Sequence, residues 1–326
     1  MKGMDLLSSI GYAVKFGGVK LLSAYIKDKF CGTNVKKEVI YSVIENIPEK
    51  DYERKLAEYY NLVTLKKINI QKPETFNEKI QWLKLYDPMK GLKTRLADKY
   101  AVREWIEEKI GSQHLIPLLG VWNDISEIDV NTLPDKFVLK TNHGCATTMI
   151  IKNKAEVDWS KVKKQYDEWL STNYAFFSFE PQYRDIEPKI IAEEYIEQSD
   201  GNLYDYKIHC FNGKPLYIHV IGDRDLKKHI GREAFFDVEW NMQSFTSNSY
   251  PGYENPVKPP AGLQEMLKIA ETLSKDFAYV RVDLYELEDG NIKFGEMTFT
   301  PGSGMYWWNP PQMDEQWGGL LKLPNG

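Results

Sequence analysis

Residues 277–304 read Phe-Ala-Tyr-Val-Arg-Val-Asp-Leu-Tyr-Glu-Leu-Glu-Asp-Gly-Asn-Ile-Lys-Phe-Gly-Glu-Met-Thr-Phe-Thr-Pro-Gly-Ser-Gly. Val280, Val282 and Leu284 alternate with Arg281, Asp283 and Tyr285, the period of a strand with two different faces. Asp289-Gly290-Asn291 signals a turn. Ile292, Phe294 and Glu296 carry the return strand. Antiparallel pairing then brings Asp283 and Glu296 together, with Arg281 beside them. Two carboxylates on neighbouring strands suit Mg²⁺, which keeps waters and takes its remaining ligands from phosphates. The arginine fork suits a phosphate or carboxylate oxygen. Carboxylates on adjacent strands also occur on plain surface hairpins. Arg-x-Asp followed by Glu-x-Thr-x-Thr-Pro-Gly-x-Gly at 296–304 favours a site.

Those motifs resemble the ATP-grasp superfamily, and more closely its TupA-like branch from polysaccharide gene clusters. D-alanine–D-alanine ligases carry Arg-x-Asp and then Glu-x-Asn-x-x-Pro-Gly, whose Asp, Glu and Asn hold two Mg²⁺ ions on ATP. The resemblance implies that Asp283 and Glu296 are metal ligands and that Arg281 contacts phosphate or an acyl phosphate. Thr298 stands where the Asn would be. A neutral hydroxyl is a weaker ligand, which leaves one or two metal ions open. The implied fold is α+β, with antiparallel sheets sandwiching ATP after a helical N-terminal region. Residues 1–95 would be that helical region, 96–195 a small subdomain with the phosphate loop, and 196–326 a large subdomain with the metal hairpin.

Composition is compatible with this. The 326 residues are about two domains' worth, and 42% apolar with 27% charged is ordinary for a soluble globular chain. A net charge of −5 with no long block of one sign argues against a nucleic-acid partner. Cys31, Cys145 and Cys210 lie far apart without metal spacing, as expected of reduced thiols in a cytoplasmic protein. No apolar stretch approaches the ~20 residues of a membrane span, and no signal peptide is expected.

Residues 4–30 read as one or two amphipathic helices. Leu6, Leu7, Ile10, Val14, Leu21, Leu22, Tyr25 and Ile26 form the apolar side, among Lys15, Lys20, Lys27 and Lys29. Such a helix either packs on its own protein or lies on an anionic membrane surface, here the inner one. Thr75-Phe-Asn-Glu78 has the spacing of a capping box, and Asp87-Pro88 stops the helix that follows. No strand–helix alternation appears in 1–95, so the acceptor site is expected to be built differently from that of most ATP-grasp enzymes. Leu96 to Gly111 reads as one helix with Tyr100, Trp105 and Ile106 inward.

Lys136–Lys140 and Met149–Ile151 flank a small-residue loop, Thr141-Asn-His-Gly-Cys-Ala-Thr-Thr148. Small residues let backbone N–H groups approach phosphate oxygens. By resemblance, Lys99, Lys140 and the loop, including His143, Gly144 and Thr147, hold the nucleotide phosphates. His143 reaches the γ-phosphate or bonds the loop backbone. A helix spans 158–171, and the irregular 178–188 offers Arg184 as an acceptor-binding residue or a solvated arginine. Lys189–Ile196 is a strand running into a hinge. By resemblance Glu193 or Glu194 accepts from adenine N6, the Ile196 N–H meets N1, and Tyr195 packs nearby.

A turn at Asp200-Gly201-Asn202 leads to a strand on which Asp205, Lys207 and His209 share one face. That face is either a site wall, with Asp205 on ribose and Lys207 on phosphate and in catalysis, or solvent. Asn212-Gly213 turns the chain into a return strand, 215–221. A helix spans 260–276. Tyr306-Trp-Trp-Asn-Pro-Pro311 either walls a sugar pocket or seals the core. Arg281, Gly302 and Ser303 join Arg184 as substrate-binding candidates.

The expected activity is ATP-dependent carboxylate–amine ligation through an acyl phosphate, with ATP and Mg²⁺. It would join an amino acid or small amine to a uronic acid of a capsular or cell-wall polysaccharide or its nucleotide-linked precursor. Asp223-Arg-Asp225 supports a rival, a metal-dependent glycosyltransferase. A non-catalytic nucleotide-binding module is the third reading.

Overall fold

The computed structural model describes residues 6–31, 35–196, 203–225, 230–253 and 257–324. Two antiparallel sheets form its centre. The first contains β1 (Leu118–Trp122), β2 (Phe137–Thr141), β3 (Thr148–Ile151) and β4 (Ile190–Glu194), in the order β1-β4-β2-β3. The second contains β5 (Asp205–Phe211), β6 (Lys214–Asp225), β7 (Ile230–Asp237), β8 (Tyr279–Glu286) and β9 (Ile292–Thr298), in the order β7-β6-β5-β8-β9. The predicted turn at 200–202 lies outside the described residues. No strand precedes Leu118 among the described residues, as the lack of alternation implied.

Helices α1 (Leu6–Cys31), α2 (Val35–Glu45) and α3 (Tyr52–Thr64) come first. Gly18 breaks α1 with φ 65°, so the stretch is two helices. Its buried positions are Ala13, Phe16, Leu21 and Ala24, whereas Val14 and Ile26, expected inside, are exposed. No helix among the described residues is long and apolar enough to cross a membrane. Helix α4 (Phe76–Tyr86) starts on the predicted capping box and ends at Asp87.

The single helix expected over 96–111 is two, α5 (Lys90–Ala97) and α6 (Val102–Ile110). The Asp98 carboxylate accepts from the backbone N–H groups of Tyr100 and Ala101, competing with continued helix. Tyr100 consequently points outward. Helices α7 (Trp159–Leu170) and α8 (Ala175–Ser178) follow within the first sheet's half, α9 (Leu263–Ser274) precedes β8, and α10 (Met313–Leu320) closes the chain.

The second sheet has two unlike faces. Tyr206, Ile208, Val280, Val282 and Leu284 pack with α6 and α9 into the largest core. The opposite face is polar at one end and aromatic at the other, where Phe211, Phe235 and Tyr279 meet Phe76, Trp308 and Trp317. Trp308 therefore seals core, while Trp307 is 50% exposed.

Candidate active site

The polar end is organised by cross-strand register. Asp283 lies opposite Glu296, and Arg281 opposite Thr298. On the other side Lys207 of β5 lies opposite Asp283. Strict alternation would place Glu296 on the core face with Ile292 and Phe294. A bulge between Asp283 and Leu284 absorbs Gly295 and shifts the parity. Phe294 and Met297 both reach the core, while Glu296 and Thr298 join Asp283. A Cβ at Gly295 would lie 3.1 Å from the Asp283 carbonyl oxygen.

Asp283, 1% exposed, accepts from Arg281 Nε and Nη2, both at 2.7 Å, and from Lys207 Nζ at 2.5 Å. Arg281 Nη2 also donates to Glu296 Oε1 at 3.1 Å and Thr298 Oγ1 at 3.0 Å. Lys207 reaches Asp205 at 2.7 Å, and Arg224 closes on the same carboxylate. The Asp205–Lys207–His209 face is thus buried and ion-paired and not a solvent face. Burial alone would raise the Glu296 carboxyl, but Lys99, Arg281 and Lys207 outweigh it and hold it at about 2. Burial likewise opposes charge on Asp205, and Lys207 and Arg224 overcome it. Asp205 Oδ1 is buried with no hydrogen-bond partner among the described residues.

His209 departs from its strand-mates. Its Nδ1 pairs with the Tyr279 hydroxyl at 2.7 Å, and burial depresses its pKa well below the usual imidazole value. It is a neutral ring between the polar and aromatic ends.

The first sheet supplies the facing wall. Lys140, next to last in β2, pairs with Glu193 at 2.5 Å. Glu193 is buried and Glu194 exposed, because adjacent strand residues point to opposite faces. Arg103 of α6 holds the other Glu193 oxygen at 3.1 Å and the Ile116 carbonyl at 2.8 Å. Tyr195 and Ile196 follow the end of β4 and are half-buried, with Lys152 5.9 Å from the Tyr195 ring centroid.

The break between α5 and α6 presents Lys99 to the small-residue loop. Its N–H donates to Asn142 O at 3.0 Å and its Nζ to Gly144 O at 2.6 Å. Burial lowers the Lys99 pKa, with Glu296 pulling the other way. Thr147 bonds Thr141 through the hydroxyls at 2.6 Å. His143 Nε2 meets the Thr172 carbonyl oxygen at 3.2 Å, beyond the loop itself. Cys145, at the loop tip, is exposed by residue area, and the partial desolvation of its thiol together with Glu296 raises its pKa, which does not favour a thiolate.

Arg184 is exposed and pairs with its neighbour Asp185 at 3.1 Å. It borders a cavity of about 250 Å³ with His143 and Tyr183. Gly302 and Ser303 sit in a turn after β9. Asp223 has φ 52° at an irregularity in β6, and the Asp225 side chain lies outside the described residues.

Sequence reading missed Arg103, Arg224, Lys84 and Glu180. Arg224 was hidden between the two aspartates of Asp-x-Asp. The others act across long chain separations with no local pattern.

Asp283 and Glu296 are hard oxygen donors in register, which fits a Mg²⁺-class cation. Among the described residues no group of three or more His, Cys, Asp or Glu gathers, so such an ion would depend on phosphate and water ligands.

A model of the family described as TupA-like ATPgrasp matches residues 78–322. Similar solved structures include the D-alanine–D-alanine ligase from Bacillus anthracis complexed with ATP, with 16% identity, 63% of this chain and 55% of that chain covered, and a TM-score of 0.40. They also include the N5-carboxyaminoimidazole synthetase from Staphylococcus aureus complexed with ADP, with 15% identity, 85% and 66% covered, and a TM-score of 0.45. The L-amino acid ligase from Bacillus licheniformis matches at 12% identity, 83% and 56% covered, and a TM-score of 0.40. The chain spans only 55% to 66% of the length of these three. No curated protein matches.

Proposed function

The chain belongs to the TupA-like ATP-grasp family, and on that premise we propose that it is an ATP-dependent carboxylate–amine ligase acting through an acyl phosphate. The observation that carries the reading is the register of Arg281, Asp283 and Lys207 with Glu296 and Thr298. It gathers two hard carboxylates and two cations on one buried face. Asp283 and Glu296, with Thr298 as the weaker third, would hold Mg²⁺. That ion supplies positive charge to the β- and γ-phosphates.

Lys99, Lys140, Lys207 and Arg281 offset the rest of the phosphate charge, so the protein works by positioning and electrostatics. The loop around His143, Gly144 and Thr147 covers the phosphates. Glu193, turned inward, accepts from adenine N6 while Arg103 keeps it oriented. The Ile196 N–H meets N1, and Tyr195 packs nearby. Asp205 Oδ1, buried and unpartnered among the described residues, is the acceptor left for a ribose hydroxyl. A substrate carboxylate attacks the γ-phosphorus in line, and ADP leaves. An amine then attacks the acyl carbon, and phosphate leaves. A uronic acid of a polysaccharide or its nucleotide-linked precursor is the proposed carboxylate, and an amino acid or small amine the partner. This substrate class rests on the family's gene-cluster setting.

The test is ADP and phosphate release from MgATP with a panel of uronic acids, UDP-uronates and amines, beside Asp283→Asn and Glu296→Gln. Release that needs both a carboxylate and an amine, and is lost in both variants, is the expected result. No turnover with any pair, or turnover indifferent to Asp283→Asn, contradicts the reading.

A further inference from the structure

Two turns face each other just beyond the end of β9. Both hold residues in the left-handed backbone region. Phe179 has φ 55° and ψ 57°, and Gly302 and Ser303 each have φ 55° and ψ 24°. That conformation is costly for a bulky aromatic residue and persists only where packing over-determines it. Here the Phe179 ring is fully buried against Phe16, Tyr52 and Tyr59. The N-terminal helices therefore fix this corner.

The corner presents Glu180. Thr300 Oγ1 donates to Glu180 Oε1 at 2.5 Å. Ser178 Oγ donates to Oε2 at 2.7 Å and accepts the single hydroxyl proton of Ser303 at 2.9 Å, while Ser303 Oγ stands 3.3 Å from Oε2. Gln182 steadies Thr300 with a 2.7 Å bond to its hydroxyl. Behind the two turns, Lys84 of α4 is 3% exposed and donates to the carbonyls of Ser178 and Ser303 at 2.9 and 2.8 Å. No Lys or Arg forms an ion pair with Glu180 among the described residues. A carboxylate has about four acceptor sites. Thr300 on Oε1 and Ser178 on Oε2 leave a site open on each oxygen.

Glu180 also lies close to where the acyl phosphate would form. Thr298 Oγ1 bonds Arg281 and Glu296, while Thr300 Oγ1, two residues on, bonds Glu180. Two residues of chain span at most about 7 Å. Cys145 at the phosphate-loop tip and the half-buried Tyr183 each feel the fields of both Glu180 and the Arg281–Glu296 pair.

We propose that Glu180 recognises the second substrate of the ligation, a primary amine that arrives as an ammonium ion, with the α-ammonium of an amino acid as the fitting class. The inference rests on the ligase reading above. Neutral hydroxyls orient the carboxylate without cancelling its charge, so an ammonium is the complementary ligand. One N–H proton passes to Glu180. The freed nitrogen pair forms the C–N bond, and the C–O bond to phosphate breaks with its electrons. The second N–H proton leaves on that phosphate, and Glu180 returns its own to solvent. The competing reading makes Glu180 only a counter-charge for Lys84; then its removal would move stability and not amine use.

The experiment uses the full chain with MgATP and glucuronate. Amide formation with each proteinogenic amino acid is compared with hydroxamate formation from hydroxylamine, which is uncharged near neutral pH. In Glu180→Gln the amine KM rises about 30-fold, and the hydroxamate-to-amide ratio rises with it. Glu180→Asp recovers part of the loss. An amine KM within about twofold of wild type overturns the proposal, as does a parallel loss of hydroxamate and amide. A wild-type chain that forms neither product removes the ligase reading itself, a different outcome from a wild type that ligates and a variant that matches it.

Discussion

Asp283 and Glu180, the two carboxylates assigned opposite tasks in the proposed site, are held by opposite means. Asp283 takes Arg281 twice at 2.7 Å and Lys207 at 2.5 Å. Glu180 takes two hydroxyls, from Ser178 and Thr300, and forms no ion pair among the described residues. A buried ion-pair cluster is neutralised in advance and can exchange one anion for another as phosphate arrives. A hydroxyl-held carboxylate keeps its charge for a cationic ligand. The difference separates a wall suited to a polyanion from a wall suited to an amine.

The contrast breaks first at Asp283. Asp283→Asn leaves Arg281 and Lys207 buried with weakened partners, and should cost about 3 kcal/mol of stability in chemical denaturation. Carboxylate-dependent ADP release should fall at least about 100-fold. A variant with unchanged stability would mean that the ion pairs are dispensable and the two walls are not built differently.

Lys84 tests the scaffold behind the other wall. Burial lowers its pKa to about 8, with Glu180 pulling upward, against 10.5 for an ordinary lysine. Between those values the unfolded chain binds more protons than the folded one, so stability rises with pH through this window. Relative to Lys84→Met, the wild type should gain about 3 kcal/mol from pH 8 to 10.5, measured as unfolding free energy. A flat difference would show that Lys84 is not a buried ammonium.

The smallest effects belong to the adenine end. Glu193→Gln should weaken ATP binding about tenfold in calorimetry. Glu194→Gln, on the exposed face, should leave it within about twofold. Equal losses would undo the assignment of the inward face.

The hairpin was legible because its information is local. Alternation, an Asp-Gly-Asn turn and the residue types over 277–304 define both strands, and register follows from the turn. Only the bulge at Gly295 was missed, although strict alternation through Ile292, Phe294 and Glu296 already conflicted with a charged Glu296. Strand β7 went unread because Phe235 and Phe236 are adjacent and both buried, one on each face, which erases period-two patterning. The α5–α6 break depends on one aspartate side chain, and it is what turns Lys99 toward Gly144. The Glu180 corner had no local signature. Lys84 reaches Ser178 across 94 residues and Ser303 across 219, and Thr300 reaches Glu180 across 120. The helical N-terminus was readable as helix, but its task of pinning Phe179 was not.

The most direct test of the central claim follows oxygen. Glucuronate labelled with ¹⁸O in its carboxylate is incubated with the protein, MgATP and the amino-acid panel, and the released phosphate is weighed by mass spectrometry. Ligation through an acyl phosphate predicts ADP together with phosphate carrying one ¹⁸O from the carboxylate. Unlabelled phosphate alongside product, label in AMP, or no carboxylate-dependent ATP turnover at all would contradict it.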